Sequence, residues 1–482
     1  MTVPQRPASI IGRVSHSPAA PFLAALLFYI LTLAPTVLWG DDAEYQRRAY
    51  TLEIDAGMRG HPLYLYWAHL FTRLPVGDVA YRVNLCSAFG AAIGVALVWA
   101  TLRRLGASGR AAWLGAGALA VSHAYWMHAV RAEVYSSYLA LFALSLWAGV
   151  RWLEERRAGW LALAAGALAL SLPVHLLGLT ALPALALLFL RCRSPRQALA
   201  GAAGFVAGLL PLAGLTLATS SAPQLVVGIS GTAMSLLAPA RWPRDAAWGL
   251  GYLLYQFPLG ILLIIPGARR LACSRPWALA FLALAGLGDA AFAFDFQAPD
   301  RYVFYLPLYL VLALSIGAGV EALSTRWLAG AWLAAGVVAL PVALYLALPM
   351  GLNALKLNPL GLRDLPYRNG NLFHLLPAKV GYDGGRQFGQ QVLAELPPAA
   401  LVLADATIRQ NLLYFQGVEG LRPDVEVVEI YAGQGRQAPF IEEQIGRRPV
   451  FLGAIDAYVD RTEIEARWRI EPYGLIYQVL QR

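Results

Sequence analysis

Gly40-Asp41-Asp42-Ala43-Glu44 closes the first apolar run of the chain, Pro21 to Trp39. That run is about 19 residues, enough to cross a bilayer. Three carboxylates therefore fall where a membrane span meets water, and charge at a bilayer is costly enough to be placed with purpose. Asp41 and Glu44 are three apart, so a helix starting here shows both on one face. Two readings fit the position. One is a carboxylate pair for proton transfer or cation binding. The other is a solvated helix start, where acids suit the positive end of the dipole.

The rest of the chain fits a membrane setting. Of 482 residues, 58% are hydrophobic and 14% charged, and the mean hydropathy is +0.53. A soluble chain carries roughly 25% charged residues. Positive charge is almost entirely Arg, since Lys356 and Lys379 are the only lysines. The Arg, Ala and Leu richness reads as codon usage of a GC-rich bacterial genome. Cys86, Cys192 and Cys273 lie in no metal-ligand spacing and have no near partner for a disulfide. Arg6 and Arg13 resemble the start of a signal peptide, but no cleavage site follows, so the first span is read as uncleaved.

Apolar segments run approximately over 21-39, 83-102, 111-128, 134-150, 159-173, 175-190, 198-219, 247-266, 277-294, 303-320 and 327-348. This predicts an α-helical polytopic membrane protein of about 11 transmembrane helices. The net charge of +9 is not a nucleic-acid signal. Residues 1-349 carry 24 basic and 14 acidic side chains, against 14 and 15 in residues 350-482. The basic excess falls on every second loop: Arg6/Arg13, Arg103/Arg104/Arg110, Arg151/Arg156/Arg157, Arg191/Arg193/Arg196, Arg269/Arg270/Arg275 and Arg326. Those loops are expected to be cytoplasmic. An odd span count then puts the N-terminus in the cytoplasm and the C-terminal region outside, in a bacterial cytoplasmic (inner) membrane.

Two domains are expected. Residues 1-349 form the membrane domain, with a long outer loop at 41-82. Within that loop, Asp41 to Ile54 has amphipathic helical spacing, and aromatic-rich Pro62 to Leu74 suits an interfacial helix. Residues 350-482 read as a soluble α/β domain. Leu401 to Ala404, Val425 to Ile430 and Pro449 to Leu452 are strand-like, Thr407 to Phe415 and Pro439 to Ile445 helical, and Ile476 to Leu480 adds a final strand.

Polar residues near the spans are few: Asp41, Asp42, Glu44, His61, His123, His128, Arg131, Glu133, His175, Asp289, Asp295, Asp300 and Arg301. The topology puts most of them on the outer side. Arg131 and Glu133 at a span start read either as interfacial residues or as a phosphate-binding cation with a second carboxylate. His175 is either a structural hydrogen-bonder or part of a site. Arg301 either grips a lipid phosphate through its donor fork or pairs with Asp300 or Asp295. His123 and His128 are five apart and off-face for joint metal binding. No Walker loop, dinucleotide glycine motif, Ser elbow or HExxH is present.

The pattern resembles the GT-C glycosyltransferases, and within them the DUF-type family that includes the TMEM-type protein O-mannosyltransferases. The matching stretches are Pro35-Thr36 through Gly40-Asp41 and Glu44, Pro62-Leu63-Tyr64, Arg82 to Ala88, Ala132-Glu133-Val134-Tyr135, Arg301-Tyr302 and Val418 to Val425. One departure concerns loop 1. The family has His-Pro-Pro-Gly-Tyr-Pro-Leu-Tyr where this chain has Gly57-Met58-Arg59-Gly60-His61-Pro62-Leu63-Tyr64. His61 is either the family histidine shifted or a replacement of its tyrosine.

The resemblance implies a polyprenyl-phosphate sugar as donor and an acceptor hydroxyl on protein or glycan, with membrane lipids around it and no nucleic acid. It implies that Asp41 is the general base, with Glu44 or Glu133 orienting base or acceptor. Arg131 and Arg301 would stabilise the departing phosphate, and His175, His61 and Tyr64 would contribute to substrate binding. No metal ligand set is legible, although a divalent metal is compatible with this chemistry. Competing readings are a lipid-linked sugar flippase or transporter, and an inactive glycolipid-binding relative. Transporters place binding groups near the midplane, often in repeated halves, whereas the charge here lies at the span ends and no repeat is visible.

Overall fold

The computed structural model describes residues 17-54, 60-219, 239-296, 298, 300-324, 335-433 and 435-482. Arg6, Arg13, Arg326 and the Gly57 to Arg59 part of loop 1 lie outside them. The described chain is a multi-pass helical bundle joined to a small mixed sheet. Five helices are long and apolar enough to cross a membrane: Val79–Arg104, Pro195–Gly214, Pro276–Asp295, Arg301–Leu323 and Gly336–Ala354. Two bent pairs raise this to seven, and Ala19–Leu31, Ala158–Ser171 and Leu176–Leu190 are shorter apolar helices.

Three expected spans are corrected. The run 21-39 is helical only over Ala19–Leu31. Beyond it the chain becomes a strap whose Ala34, Val37, Leu38 and Trp39 pack into one core with Phe388, Leu412 and Phe415 of the C-terminal region. The run 111-128 divides into Gly109–Ala120 and His123–Ala129, with Ser122 between them. The run 247-266 breaks after Gln256, where the Trp242–Gln256 and Ile261–Ser274 helices meet at 92°. Pro258 follows the break, and a proline disfavours helical backbone at the residue before it.

The sheet contains β1 (Leu401–Ala404), β2 (Glu426–Glu429), β3 (Val450–Leu452), β4 (Arg469–Tyr473) and β5 (Ile476–Leu480), in the order β2-β1-β3-β5-β4. β1 pairs in parallel with β2 and β3, while β5 runs antiparallel to β3 and β4. The Ala406–Glu419 helix crosses from β1 to β2 and packs against the Asp41–Thr51 helix.

The strap is fastened at both ends. Asn84, buried in the Val79–Arg104 helix, donates to the Ala34 carbonyl at 3.0 Å. Asn411 donates to the carbonyls of Leu38, at 2.8 Å, and Gly385, at 3.0 Å. Glycine at 385 permits that approach, because a Cβ would stand 2.7 Å from the Val37 and Leu38 carbonyl oxygens. The strap ends at Gly40, whose φ of +57° with ψ of −131° is a combination that suits glycine. Its N–H donates to the Thr407 carbonyl at 3.1 Å.

Candidate functional site

Gly40 turns the chain directly into the Asp41–Thr51 helix, whose first turn carries Asp41, Asp42 and Glu44. The position satisfies the dipole preference for acids, but the three carboxylates meet different surroundings. Asp42 is 1% exposed and ion-paired to Arg131 at 3.0 Å. Burial pushes its carboxyl upward, against the pull of Arg131. Glu44 accepts from Arg48 at 3.2 Å and from Gln410 at 3.0 Å.

Asp41 differs from both. It is solvent-accessible, and among the described residues its carboxylate has no hydrogen-bond or ion-pair partner. Protein nevertheless surrounds it. Burial is the largest influence raising its pKa, followed by the Glu44 charge, with Arg131 opposing them and Asp300 adding to them. Asp41 thus meets solvent at the edge of the acidic cluster, with protein packed close behind it.

Arg131 and Glu133 lie at a break of 114° between the His123–Ala129 and Val134–Glu155 helices. Arg131 spans Asp42 and Glu133, the latter at 2.8 Å. Ser87 donates to the Glu133 carbonyl at 3.2 Å and accepts from its N–H at 3.1 Å, which fixes the turn. His128 Nδ1 stands 3.7 Å from the Glu133 carboxylate. The residues of the 41-44 and 131-133 stretches thus form one charged cluster.

His61 and His175 also come together, in a stacked pair with ring centroids 5.3 Å apart. His61 Nδ1 lies 2.7 Å from the Val174 carbonyl, which can only accept, so that nitrogen carries the proton. Burial pushes the imidazole down to about 4, so it is neutral and its Nε2 is an acceptor. His175 has the opposite tautomer when neutral, since its Nδ1 accepts from Leu177 N–H at 3.1 Å. The backbone of His61 sits in the left-handed region, φ 46°, which is uncommon for a non-glycine residue. Tyr45 packs edge-on against both His61 and Tyr64, at 5.7 and 5.5 Å, and Tyr135 lies 5.1 Å from His175. Tyr45 and Tyr135 also feel the charges of Asp41 and Glu133, so the aromatic group borders the charged cluster.

Arg301 is engaged elsewhere. Its partner is neither Asp300 nor Asp295 but Asp245, at 2.9 Å, with both side chains buried. Asp300 is accessible and close enough to act on Asp41. Among the described residues, no three of His, Cys, Asp and Glu gather as a metal-ligand set. Gln410 and Asn411 were not singled out by the sequence, where nothing marks two amides on a soluble helix as neighbours of a membrane-edge acid.

Bundle, strap, broken helix at the acidic cluster and appended sheet together define the class: this is a polytopic membrane protein with a GT-C-like fold. Residues 41–198 match the family model described as the Protein O-mannosyl-transferase TMEM260 N-terminal domain. The chain is 37% identical over 119 residues to Protein O-mannosyl-transferase TMEM260 of Mus musculus, which covers 24% of this chain and 17% of that relative's length. Among solved structures it is similar to ArnT from Cupriavidus metallidurans bound to undecaprenyl phosphate, with a TM-score of 0.59 and 14% identity over 96% of this chain and 97% of that one. It is also similar to the Archaeoglobus fulgidus oligosaccharyltransferase in complex with Zn and sulfate, with a TM-score of 0.52 and 12% identity over 96% and 73%. At these identities the structures speak to fold.

Proposed function

We propose that the protein is a membrane glycosyltransferase that moves a sugar, mannose in the first instance, from a polyprenyl-phosphate donor to an acceptor hydroxyl. Asp41 is the general base. The observation that carries this reading is the accessible Asp41 carboxylate, without a partner among the described residues, beside Asp42, Glu44 and Glu133, each of which is engaged. The names of the relatives supply the donor and acceptor classes: one solved structure holds undecaprenyl phosphate, and the mouse relative is a protein O-mannosyl-transferase. The reaction runs on the extracytoplasmic face of a bacterial cytoplasmic membrane, where the alternation of basic loops puts the Asp41 end of the bundle.

In the step itself, an Asp41 oxygen takes the acceptor hydroxyl proton as the hydroxyl oxygen bonds to the anomeric carbon. The bond from that carbon to the phosphate oxygen breaks, and the polyprenyl phosphate leaves with the electron pair. Glu133 and Asp42 hold the Arg131 guanidinium in place beside the base, and Gln410 and Arg48 hold Glu44. Neutral His61 and His175, with Tyr45 and Tyr64, form a polar-aromatic wall suited to a sugar ring. Arg301, neutralised by Asp245, ties two helices rather than gripping phosphate.

The test is sugar transfer in membranes or vesicles with labelled polyprenyl-phosphate sugars, comparing wild type with Asp41→Asn. Loss of the base lowers the rate by ~10²- to 10⁴-fold. Equal rates would remove Asp41 from the mechanism. Absence of transfer with any donor, accompanied by lipid scrambling, would replace the enzyme by a flippase.

A further inference from the structure

Among the described residues, two buried cations near the acidic cluster have no carboxylate partner. Lys379 is 3% exposed and Arg368 is 6% exposed. The Lys379 ammonium donates only to the backbone carbonyls of Leu376 and Pro377. Arg368 donates through Nη2 to the Arg363 carbonyl at 3.2 Å, and its Nε has no partner. By contrast, Arg131, Arg301, Arg363 and Arg386 each pair with an acid.

One short stretch brings the two charges together. The Gly370–Leu375 helix presents Phe373, and that ring lies 5.1 Å from the Arg368 guanidinium and 5.2 Å from the Lys379 ammonium. Trp39, at the end of the strap, covers Arg368 from a second direction at 5.4 Å. Lys379 N–H donates to the Thr32 carbonyl, fixing the stretch to the first helix of the bundle. Lys379 also lies within electrostatic reach of Asp42 and Arg131, while Arg368, Arg131, Lys379 and His123 all act on His374. The two cations therefore lie close to the Asp42–Arg131 pair that adjoins Asp41.

A buried charge without a counter-charge is strongly disfavoured unless another group compensates it. Burial accordingly pushes the Lys379 ammonium down to about 7 and the Arg368 guanidinium down to about 10. Burial and the surrounding cations push His374 down to about 3, so it stands as a neutral hydrogen-bonding imidazole. Aromatic faces and backbone carbonyls soften the cost without cancelling the charge. The missing partner is an anion. Its place beside the acid cluster, at the membrane end of the soluble domain, suits a phosphate carried on a lipid.

We propose that Arg368, Lys379 and His374 form an anion subsite, adjoining Arg131, that holds the phosphate of the donor and of the departing polyprenyl phosphate. This rests on the glycosyltransferase reading above. It assigns phosphate binding to the soluble-domain side of the site rather than to Arg301.

The experiment uses the full chain in nanodiscs and measures binding of undecaprenyl phosphate, of inorganic phosphate and of phosphatidylglycerol to wild type, Lys379→Met, Arg368→Met, Arg368→Lys and Asp41→Asn. Loss of one charged donor weakens undecaprenyl phosphate binding by about 10- to 100-fold. Arg368→Lys recovers part of the loss, whereas Asp41→Asn, which removes a carboxylate rather than a phosphate donor, shows no such loss. Tight inorganic phosphate with no gain from the lipid chain would turn the subsite into one for free phosphate and overturn the donor assignment. Thermal stability separates the roles. Replacing an unpaired buried charge by an apolar side chain of similar volume leaves stability unchanged or raises it, whereas a structural role predicts a loss in both Met variants. Undiminished lipid binding in both would sink the subsite while leaving Asp41-dependent transfer intact. Lys379-dependent binding without sugar transfer in wild type would sink the enzyme reading and leave the subsite.

Discussion

Asp41 is set apart from Asp42 and Glu44 by what its neighbours do rather than by its own position. Asp42 is neutralised by Arg131, Glu44 is held by Arg48 and Gln410, and Asp41 is left facing solvent. The direction of its pKa gives a test with a definite sign. A base works deprotonated, so transfer rises with pH as Asp41 ionises, and the acid limb lies above the ordinary aspartate value of about 3.9. The Glu44 charge is the second cause of the raised value, after burial. Glu44→Gln removes that charge and shifts the acid limb to lower pH, measured as the pH dependence of transfer under subsaturating donor. A limb that stays in place in Glu44→Gln would separate the titrating group from Asp41. The sequence narrowed the proposed base to this cluster, because charge at a span end is rare and visible. It left the choice within the cluster to spacing and resemblance, because ion pairs between residues 42 and 131 leave no local trace.

At the scale of elements, long apolar periodicity was the readable signal. Val79–Arg104, Pro276–Asp295 and Arg301–Leu323 lie close to where hydropathy puts them, and β5 coincides with the expected Ile476 to Leu480. The strap was not readable. Ala34, Val37, Leu38 and Trp39 are as apolar as a lipid-facing run, and hydropathy does not tell a bilayer from the core of an α/β domain. The break after Gln256 had a signal in Pro258, whereas the one at Ser122 interrupts an apolar run with a single small polar residue. Lys379 had a signal too, as one of two lysines in a chain that otherwise uses Arg. The strap carries its own prediction. Asn411 is fully buried and serves two carbonyls, those of Leu38 and Gly385. Asn411→Ala leaves both without that donor, at a cost of about 1–3 kcal/mol for an unsatisfied buried group, and lowers the Tm. Transfer falls with it, because Gly40 and Asp41 follow directly on the Leu38 end of the strap. An unchanged Tm would show that the carbonyls find other donors.

At the scale of the whole molecule, the bundle and the C-terminal sheet region share a core instead of merely touching. Ala34, Val37, Leu38, Trp39, Ala43 and Ala80 come from the first part of the chain, and they pack in one cluster with Phe373, Phe388, Val402, Ile408, Leu412, Phe415 and Phe451. Polar links cross the same boundary. Arg386 donates to Thr36 at 2.7 Å and to Asp78 at 2.8 Å, Trp39 donates to Tyr382 at 2.8 Å, and Gln410 reaches Glu44. A domain cut off from such a core exposes an apolar surface of the kind that drives association. A 356-482 fragment, expressed alone, therefore self-associates and melts without a cooperative transition. Co-expression with residues 1-355 restores a single complex, because the strap again fills the cluster and fastens to Asn411. Far-UV circular dichroism melts and size-exclusion profiles of the fragment, alone and co-expressed, read this directly. A monomeric fragment with a sharp transition of its own would mean that β1 to β5 and their helices close a core without the strap. The C-terminal region would then be an accessory to Asp41 rather than part of the scaffold that aims it.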